Sequence, residues 1–355
     1  MSATSLPRSP TSGTDPVARI VAARAATRRR LLAVTMALAI AVVLAFWTGL
    51  ALGDVVASNA DVWAALFGSG EGGVVNVVRN IRLPRAVAAI VVGAGLGLSG
   101  AIFQSLTRNP LASPDILGVT AGASTAAVFA IVWLSAPGTR VAIWAVLGAL
   151  VAVLAIYGLA WRNGLSIYRL VLVGVGIGAV CQALTEYLIT TAATTTAVSA
   201  TTWLTGSLNS ISWLRVGPAV PVLVLLLLAL RRLAAALGAI ELGDETARGL
   251  GVKLEPAKLL LVLIAVALAG VAVSVAGPVV FVAFVAPPIA RRLTHGGVAL
   301  IPCALVGVLL VQAADLVGHH ALARAELPVG VITGIIGAPY LLYLLARANQ
   351  LGQTG

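Results

Sequence analysis

Long apolar runs recur along the whole chain and constrain its fold more than any other feature. Of the 355 residues, 60% are hydrophobic and only 10% are charged, and the mean hydropathy is +1.04. A water-soluble protein of this size cannot hide so much apolar surface, because part of any core-forming chain faces water. Runs of about 18 or more apolar residues are typical of membrane-spanning helices. The sequence therefore predicts an all-α membrane protein.

About ten spans can be placed along the chain, and together they form one permease-sized domain over residues 31–347. The predicted spans are 31–52, 84–106, 114–134, 140–160, 168–191, 216–237, 257–276, 278–293, 298–318 and 328–346. The more polar stretch 197–208 predicts a short extra helix. Residues 1–30 are rich in Ser, Thr, Pro and Arg and predict a disordered, basic cytoplasmic tail. Residues 348–355 are expected to form a short C-terminal tail.

The distribution of basic residues predicts the orientation in the membrane. An even number of spans places both termini on one side. If that side is the cytoplasm, 17 of the 23 Lys and Arg residues fall in inside segments, as the positive-inside rule requires. We therefore expect a multi-pass protein of the cytoplasmic (inner) membrane with both termini cytoplasmic. The net charge of +11 is explained by this topology, so no nucleic-acid partner is expected.

Side chains that could carry catalysis or hold a metal are scarce in the sequence. No GxxxxGK[ST] nucleotide-binding motif occurs, and no nucleophile–base pair or metal-ligand cluster stands out. Cys181 and Cys303 lie in apolar runs and are interpreted as small core residues. Asp315, an acid inside a span, is expected to pair locally. The chain is therefore predicted not to be an enzyme and to bind no metal or cofactor itself.

The longest predicted inside loop, residues 238–258, reads GAIELGDETARGLGVKLEPAK. Asp244 and Glu245 precede a short helical pattern that closes at Gly251. Acidic residues at the start of a helix and glycine at its end are the usual terminal signals. Such a helix either simply connects two spans or docks into another protein, and the residues alone leave both interpretations open.

Several long motifs resemble those of one family, the iron-chelate and cobalamin uptake permeases, which are the membrane subunits of type II ABC importers. The motifs, in order, are RLPRAVAAIVVGAGLGLSGAIFQSLTRNPLASPDILGVTAGA, ELGDETARGLGV, GPVVFVAFVAPPIARR and AELPVGVITGIIGAPYLLYLL. The resemblance runs from about residue 31 to residue 347. Within the family, GAIFQSLTRNPLASPD, LAWRNGLSIYRLVLVGVGIG and AADLVGHHALARAELPVGV are most similar to siderophore permeases of the ferric-enterobactin type.

The resemblance implies a type II importer permease fold and uptake of a ferric siderophore, of the catecholate kind, by alternating access. It implies three kinds of partner: a second permease subunit, two ATPase subunits that use ATP and Mg, and an extracytoplasmic siderophore-binding protein. The permease pair is expected to be a heterodimer, with a homodimer as the alternative. The alternative substrates within the family are cobalamin and haem. A secondary carrier or channel is the alternative from another class.

The resemblance also assigns roles to individual residues. The positions matching ATPase coupling are Gly243, Asp244, Ala247, Leu250 and Gly251. The positions matching binding-protein docking are Arg82, Arg85, His319 and Arg324. The positions matching the cytoplasmic gate are Asn109, Leu111, Ile167 and Tyr168. For the two outer arginines, local pairing or lipid-headgroup anchoring is the alternative. Pro287-Pro288 stands where the family often has Pro-His.

Overall fold

The computed structural model describes residues 16–53, 56–68, 72–115, 118–161, 167–209, 211–297, 299–320 and 326–352. Over these ranges the protein is an all-α bundle, as predicted, with one π-helical turn at Val78–Arg82. The α-helices are α1 (Pro16–Ala51), α2 (Asn59–Phe67), α3 (Gly73–Val77), α4 (Leu83–Thr107), α5 (Val119–Val132), α6 (Gly138–Ala160), α7 (Ile167–Thr191), α8 (Thr194–Leu204), α9 (Trp213–Val216), α10 (Ala219–Glu241), α11 (Asp244–Gly249), α12 (Leu254–Ala276), α13 (Val282–Thr294), α14 (Leu300–His320) and α15 (Val329–Gly352).

Each predicted span corresponds to one helix, but the helices differ in length. Seven helical stretches of the described chain are long and apolar enough to cross a membrane, and α5 and the apolar part of α15 are shorter. Helix α13 has 13 residues, or about 20 Å at 1.5 Å per residue, against a hydrocarbon core of about 30 Å. The predicted span 278–293 is therefore a short helix. Its apolar run includes a non-helical segment, in which Phe281 has a φ of 67°.

Helix α4 forms the centre of the bundle and packs against α10, α12, α13 and α14. Every residue from Val91 to Leu106 in this helix is buried. The close approach of α4 to α14 depends on Gly93 and Gly97. A Cβ on Gly93 would overlap the Val308 backbone, and a Cβ on Gly97 would overlap the Cys303 carbonyl. Small residues of this kind let helices pack closely in lipid, where dispersion and not the hydrophobic effect drives association.

The two consecutive prolines of α13 are accommodated by α4. A proline lacks the N–H that would bond to the carbonyl four residues earlier, so Pro287 and Pro288 release two carbonyls, of which Phe284 is one. Gln104 Nε2 donates a hydrogen bond of 3.1 Å to the Phe284 oxygen. The other released carbonyl, at Ala283, lies directly against Gly100 of α4. A neighbouring helix thus satisfies the Phe284 carbonyl, which could find no water in a membrane.

The chain ends differ from the predicted tails. Helix α1 begins at Pro16, so residues 16–30 are helical and not disordered; proline favours the first helical position, and the alanine-rich segment that follows has high helix propensity. Residues 1–15 lie outside the described residues. At the other end α15 continues to Gly352, which leaves only residues 353–355 of the predicted tail beyond it.

Helix α1 lies at the edge of the bundle. It packs on α14, yet none of its most apolar window is buried within the chain. Its middle and its C-terminal end are tied to other elements. Arg30 Nε donates to the Leu293 carbonyl at 2.9 Å, and Arg82 Nη1 donates to the carbonyls of Leu50 and Ala51 at 3.0 and 3.2 Å.

Candidate coupling, gating and docking sites

The inside loop contains a short helix with the predicted terminal signals. Helix α11, called the coupling helix below, starts after Gly243, whose φ of 124° favours glycine, and is followed by Gly251 at a φ of 84°. The N–H of Val252 donates to the Ala247 carbonyl at 3.0 Å, and the N–H of Gly251 donates to the Arg248 carbonyl at 2.9 Å. These bonds close the C-terminal end of the helix. The loop itself is shorter than predicted, because α10 and α12 extend into residues 238–258.

Asp244 fastens the coupling helix to two other helices. Its Oδ2 accepts from Lys258 Nζ of α12 at 2.6 Å, and its Oδ1 accepts from Arg108 Nη2, just after α4, at 2.7 Å. The Lys258 side chain is only 7% exposed. Burial alone would raise the pKa of the Asp244 carboxyl, but its bonds and charge pairing with Lys258 and Arg108 hold that pKa below its ordinary value. Asp244 therefore anchors the helix within its own chain.

The other predicted coupling residues divide between the two faces of the helix. Ala247 is fully buried, so the expectation that it contacts a partner is corrected: it packs against its own chain. Leu250 is 65% exposed, and Leu242, just before the helix, is 71% exposed. Two large apolar side chains exposed at a polar loop favour a protein-binding surface over a plain connection.

A second group of polar contacts ties the inner ends of α4, α10 and α13 together. Arg291 Nη2 lies 3.4 Å from Glu241 Oε1 and donates to Ser105 Oγ at 2.8 Å. Sequence reasoning missed this group. The sequence feature that could have indicated it is the arginine pair at the end of the apolar run GPVVFVAFVAPPIARR. The inner end of the bundle thus carries two groups of charged contacts, one at Asp244 and one at Arg291.

The predicted gate residues lie at the inner ends of two helices. After α4 ends at Arg108, which has a φ of 49°, the Asn109 side chain accepts a hydrogen bond of 2.9 Å from the Leu111 N–H. This bond holds a tight turn. Asn109 is exposed and Leu111 is half-buried. The other two gate positions begin α7: Tyr168 is 77% exposed, and the side chain of Ile167 lies outside the described part.

At the opposite end of the bundle, the predicted docking residue Arg85 is paired within the chain. Its Nε donates to both carboxylate oxygens of Asp315 at 3.0 Å, and its Nη1 lies 3.6 Å from Glu326. This is the local pairing expected for Asp315. His319 Nδ1 lies 3.1 Å from Glu326 Oε1, so these side chains form one cluster between α4, α14 and the segment before α15.

The other two predicted docking residues, Arg82 and Arg324, are not among the contacts of this cluster that the structure describes. Arg82 holds the end of α1 through two carbonyls, and Arg324 lies outside the described residues. Within the ranges that the structure describes, no group of three or more His, Cys, Asp or Glu side chains could hold a metal ion.

Residues 38–347 match the family model described as the FecCD transport family. The chain is 41% identical over 325 residues to the ferric enterobactin transport system permease protein FepG of Escherichia coli (strain K12), covering 91% of this chain and 98% of that one. It is 41% identical over 320 residues to the achromobactin transport system permease protein CbrC of Dickeya dadantii (strain 3937), covering 89% and 92%. It is 37% identical over 328 residues to the vitamin B12 import system permease protein BtuC of Serratia proteamaculans (strain 568), covering 91% and 94%.

The fold has a counterpart among solved structures. A chain in an inward-facing conformation, described as a metal-chelate type ABC transporter, superimposes with a TM-score of 0.78. The two chains are 25% identical, and the match covers 88% of this chain and 98% of the other.

Proposed function

The chain belongs to the FecCD transport family, and on that premise we propose that it carries a ferric siderophore of the catecholate, enterobactin-like kind. It is a multi-pass permease subunit in the cytoplasmic membrane and part of an ABC importer of the iron-chelate and vitamin B12 type. The observation that carries the choice of substrate is the 41% identity over 98% of the Escherichia coli permease named for ferric enterobactin.

The importer would contain a second permease subunit, two ATPase subunits that use ATP and Mg, and an extracytoplasmic binding protein that delivers the chelate. The coupling helix supports this arrangement. Leu250 is exposed for contact with an ATPase, whereas Asp244 binds the helix rigidly to α4 and α12. Closure of the ATPase pair would therefore move these helices together, as a rigid-body change.

A gate at the inner turn would follow the same movement. Asn109 comes directly after Arg108, which is bound to the coupling helix through Asp244. Displacement of that helix would thus shift the turn that holds Leu111. Replacing both Asn109 and Leu111 with alanine is expected to raise substrate leak from proteoliposomes in the absence of ATP. An unchanged leak rate would count against the gate.

Binding-protein docking is proposed for the outer cluster. Arg85 is already paired with Asp315, so charge reversal at this residue would disturb the fold as well as the docking surface. Arg82 in turn holds the end of α1, so the sharper test is Arg324→Ala, which should weaken binding-protein affinity while ATPase assembly persists. Arg140→Ala, an exposed arginine in the first turn of α6, is the control and should leave the affinity unchanged.

The substrate is tested by uptake in a strain that lacks the gene. Complementation should restore uptake of labelled ferric enterobactin and leave labelled cobalamin uptake unaffected. Restoration of cobalamin uptake alone would favour the second candidate, a vitamin B12 permease, which the 37% identity to BtuC supports. Restoration of neither would overturn both substrates.

The partner requirement is tested by reconstitution. Proteoliposomes that contain the permease pair, the ATPase and the binding protein should take up substrate only with ATP and Mg. Uptake by this chain alone, driven by an ion gradient, would instead indicate a secondary carrier or channel.

A further inference from the structure

A cavity of about 310 Å³ lies between α1, the π-helical turn with the start of α4, and α14. It lies at the end of the bundle that carries the outer cluster of Arg85, Asp315, His319 and Glu326, opposite the coupling helix. Its walls are partly apolar, with Phe46 and Ala89 among the lining side chains. The volume is at the lower end of the range for small-molecule sites.

One buried polar group of the cavity is unsatisfied. Gln312 is 4% exposed and lines the cavity, yet neither its Oε1 nor its Nε2 has a hydrogen-bond partner among the described residues. Buried amides are nearly always hydrogen-bonded, and each exception calls for an explanation. Gln312 lies one helical turn below Asp315, about 4.5 Å deeper along α14. At the deep end of the cavity, Gln312 Oε1 can therefore accept a hydrogen bond from a ligand, and the NH2 group of Gln312 can donate two.

The charged lining contains both signs, and several of its charges are already paired with one another. Arg82 and Arg85 supply two positive charges, and Asp315 and Glu326 supply two negative charges, while His319 lies beside Glu326. A ligand with a single net charge would unbalance this partly buried set, whereas a zwitterion would match both signs at once. The lining thus favours a ligand that carries one anionic and one cationic group.

The position of the cavity favours a lipid as the source of that ligand. One wall belongs to α1, an apolar helix at the edge of the bundle whose most apolar window is not buried within the chain. Among the residues that line the cavity, Leu52 and Ile81 are apolar and exposed, at 47% and 58%. The cavity lies where the spans end, at the depth of lipid headgroups.

We propose that this cavity binds the headgroup of a zwitterionic phospholipid that carries an ammonium group, phosphatidylethanolamine being the example. The phosphate lies toward Arg82, and the ammonium lies toward Asp315 and Glu326. Gln312 Nε2 donates to an oxygen of the phosphoester, and Gln312 Oε1 accepts from the ammonium. The acyl chains extend past Leu52 along the lipid-facing side of α1. This site is separate from the transported substrate and does not depend on its identity.

Native mass spectrometry of the full-length chain, purified with defined lipids, tests the proposal. The wild-type protein should retain one phosphatidylethanolamine in preference to phosphatidylglycerol, and Gln312→Leu should reduce that retention about tenfold. Gln182→Leu, which changes an exposed glutamine of α7, is the matched control and should retain the lipid. The wild-type comparison of the two lipids remains decisive if Gln312→Leu does not fold.

Other results would overturn the proposal. Equal retention of the two lipids, no retention, or retention that is unaffected in folded Gln312→Leu would each contradict a headgroup site. Stabilisation by soluble O-phosphoethanolamine without lipid retention would assign the site to a free zwitterion instead of a lipid.

Discussion

The carboxylate of Asp244 lies 2.6 Å from the ammonium of Lys258, a side chain that is only 7% exposed. This pair joins the coupling helix to α12, one of the most buried helices of the bundle. The pair matters for stability because Lys258 is buried. A buried charge that loses its partner destabilises the fold, whereas an exposed ion pair contributes little to stability. Force applied to the coupling helix would therefore reach the core of the bundle through Asp244.

Replacing Asp244 with asparagine keeps the shape of the side chain and removes its charge. Lys258 would then remain buried without a counter-charge, and we expect the free energy of unfolding to fall by about 1–3 kcal/mol. Thermal unfolding in detergent measures this loss. In the assembled importer, ATP hydrolysis should continue with less transport per ATP. Glu245→Gln is the control, since Glu245 is exposed on the same turn; equal effects of the two changes would rule out the anchor.

The stability supplied by Asp244 should depend on pH in one direction. Its pKa in the folded protein lies below the ordinary value of 3.8. The extra stability is therefore fully present above pH 3.8 and is lost as the pH falls through the lowered pKa. The difference in melting temperature between wild type and Asp244→Asn should thus be constant from pH 7 to pH 5 and shrink only below about pH 4. A difference that disappears near pH 6 would point to another group.

Leu250→Ser should separate partner binding from folding. Leu250 is 65% exposed, so the change should leave the free energy of unfolding of the isolated chain within about 0.5 kcal/mol of wild type. The affinity for the ATPase should fall at least tenfold if the leucine is buried in that partner. Co-purification of the two proteins measures this affinity. Leu214→Ser alters a leucine that is 73% exposed in α9 and should leave the association intact. If both variants bind the ATPase normally, the coupling surface lies elsewhere.

The bond from Gln104 to the Phe284 carbonyl should matter only while Pro288 is present. In Pro288→Ala, a restored N–H can bond to that carbonyl and replace the glutamine. Gln104→Leu should therefore destabilise the wild type by about 0.5–1.5 kcal/mol more than it destabilises Pro288→Ala. Unfolding of the four proteins of this cycle measures the difference. Additive effects would show that the glutamine does not compensate for the proline.

Gly307→Ala should disrupt the contact between α4 and α14. A Cβ at this position would overlap the Gly93 carbonyl. That carbonyl is part of the backbone of α4, which cannot easily move. We expect a loss of about 1–3 kcal/mol from overpacking. Gly176→Ala in α7 meets nothing within 4 Å and should instead be neutral or slightly stabilising, because alanine favours a helix. Melting temperatures of the two variants provide the comparison.

The helices and the ends of the coupling helix were predictable because their signals are local. Apolar runs mark the spans wherever they occur in the chain, and glycines at positions 243 and 251 mark the ends of a helix through backbone conformation alone. The lengths of α1 and α13 were not predictable in this way. Polar alanine-rich sequence continues α1 outside the apolar run, and a non-helical segment lies inside the run that precedes α13.

The partners of the charged side chains could not be predicted from the sequence. Arg85 and Asp315 are 230 positions apart, and Arg108 and Asp244 are 136 apart. Arg85 was recognisable as a residue with a role, but only the packing of helices decides which acid each arginine meets. The unsatisfied amide of Gln312 is likewise a property of the folded neighbourhood and not of the residue type.

The attachment of α1 has a consequence for how the protein is made. Helix α1 packs mainly on α14, which is synthesised only after the chain between Ala51 and Leu300. At about 5–20 residues per second, the delay amounts to tens of seconds. During that time α1 remains in the bilayer without α14, and its most apolar 18-residue window, with a mean hydropathy of 2.4, favours insertion on its own. Membrane insertion and helix assembly are therefore separate events for this segment. Its contacts with α13 and α14 form last, well after Arg82 is available to bind the carbonyls of Leu50 and Ala51.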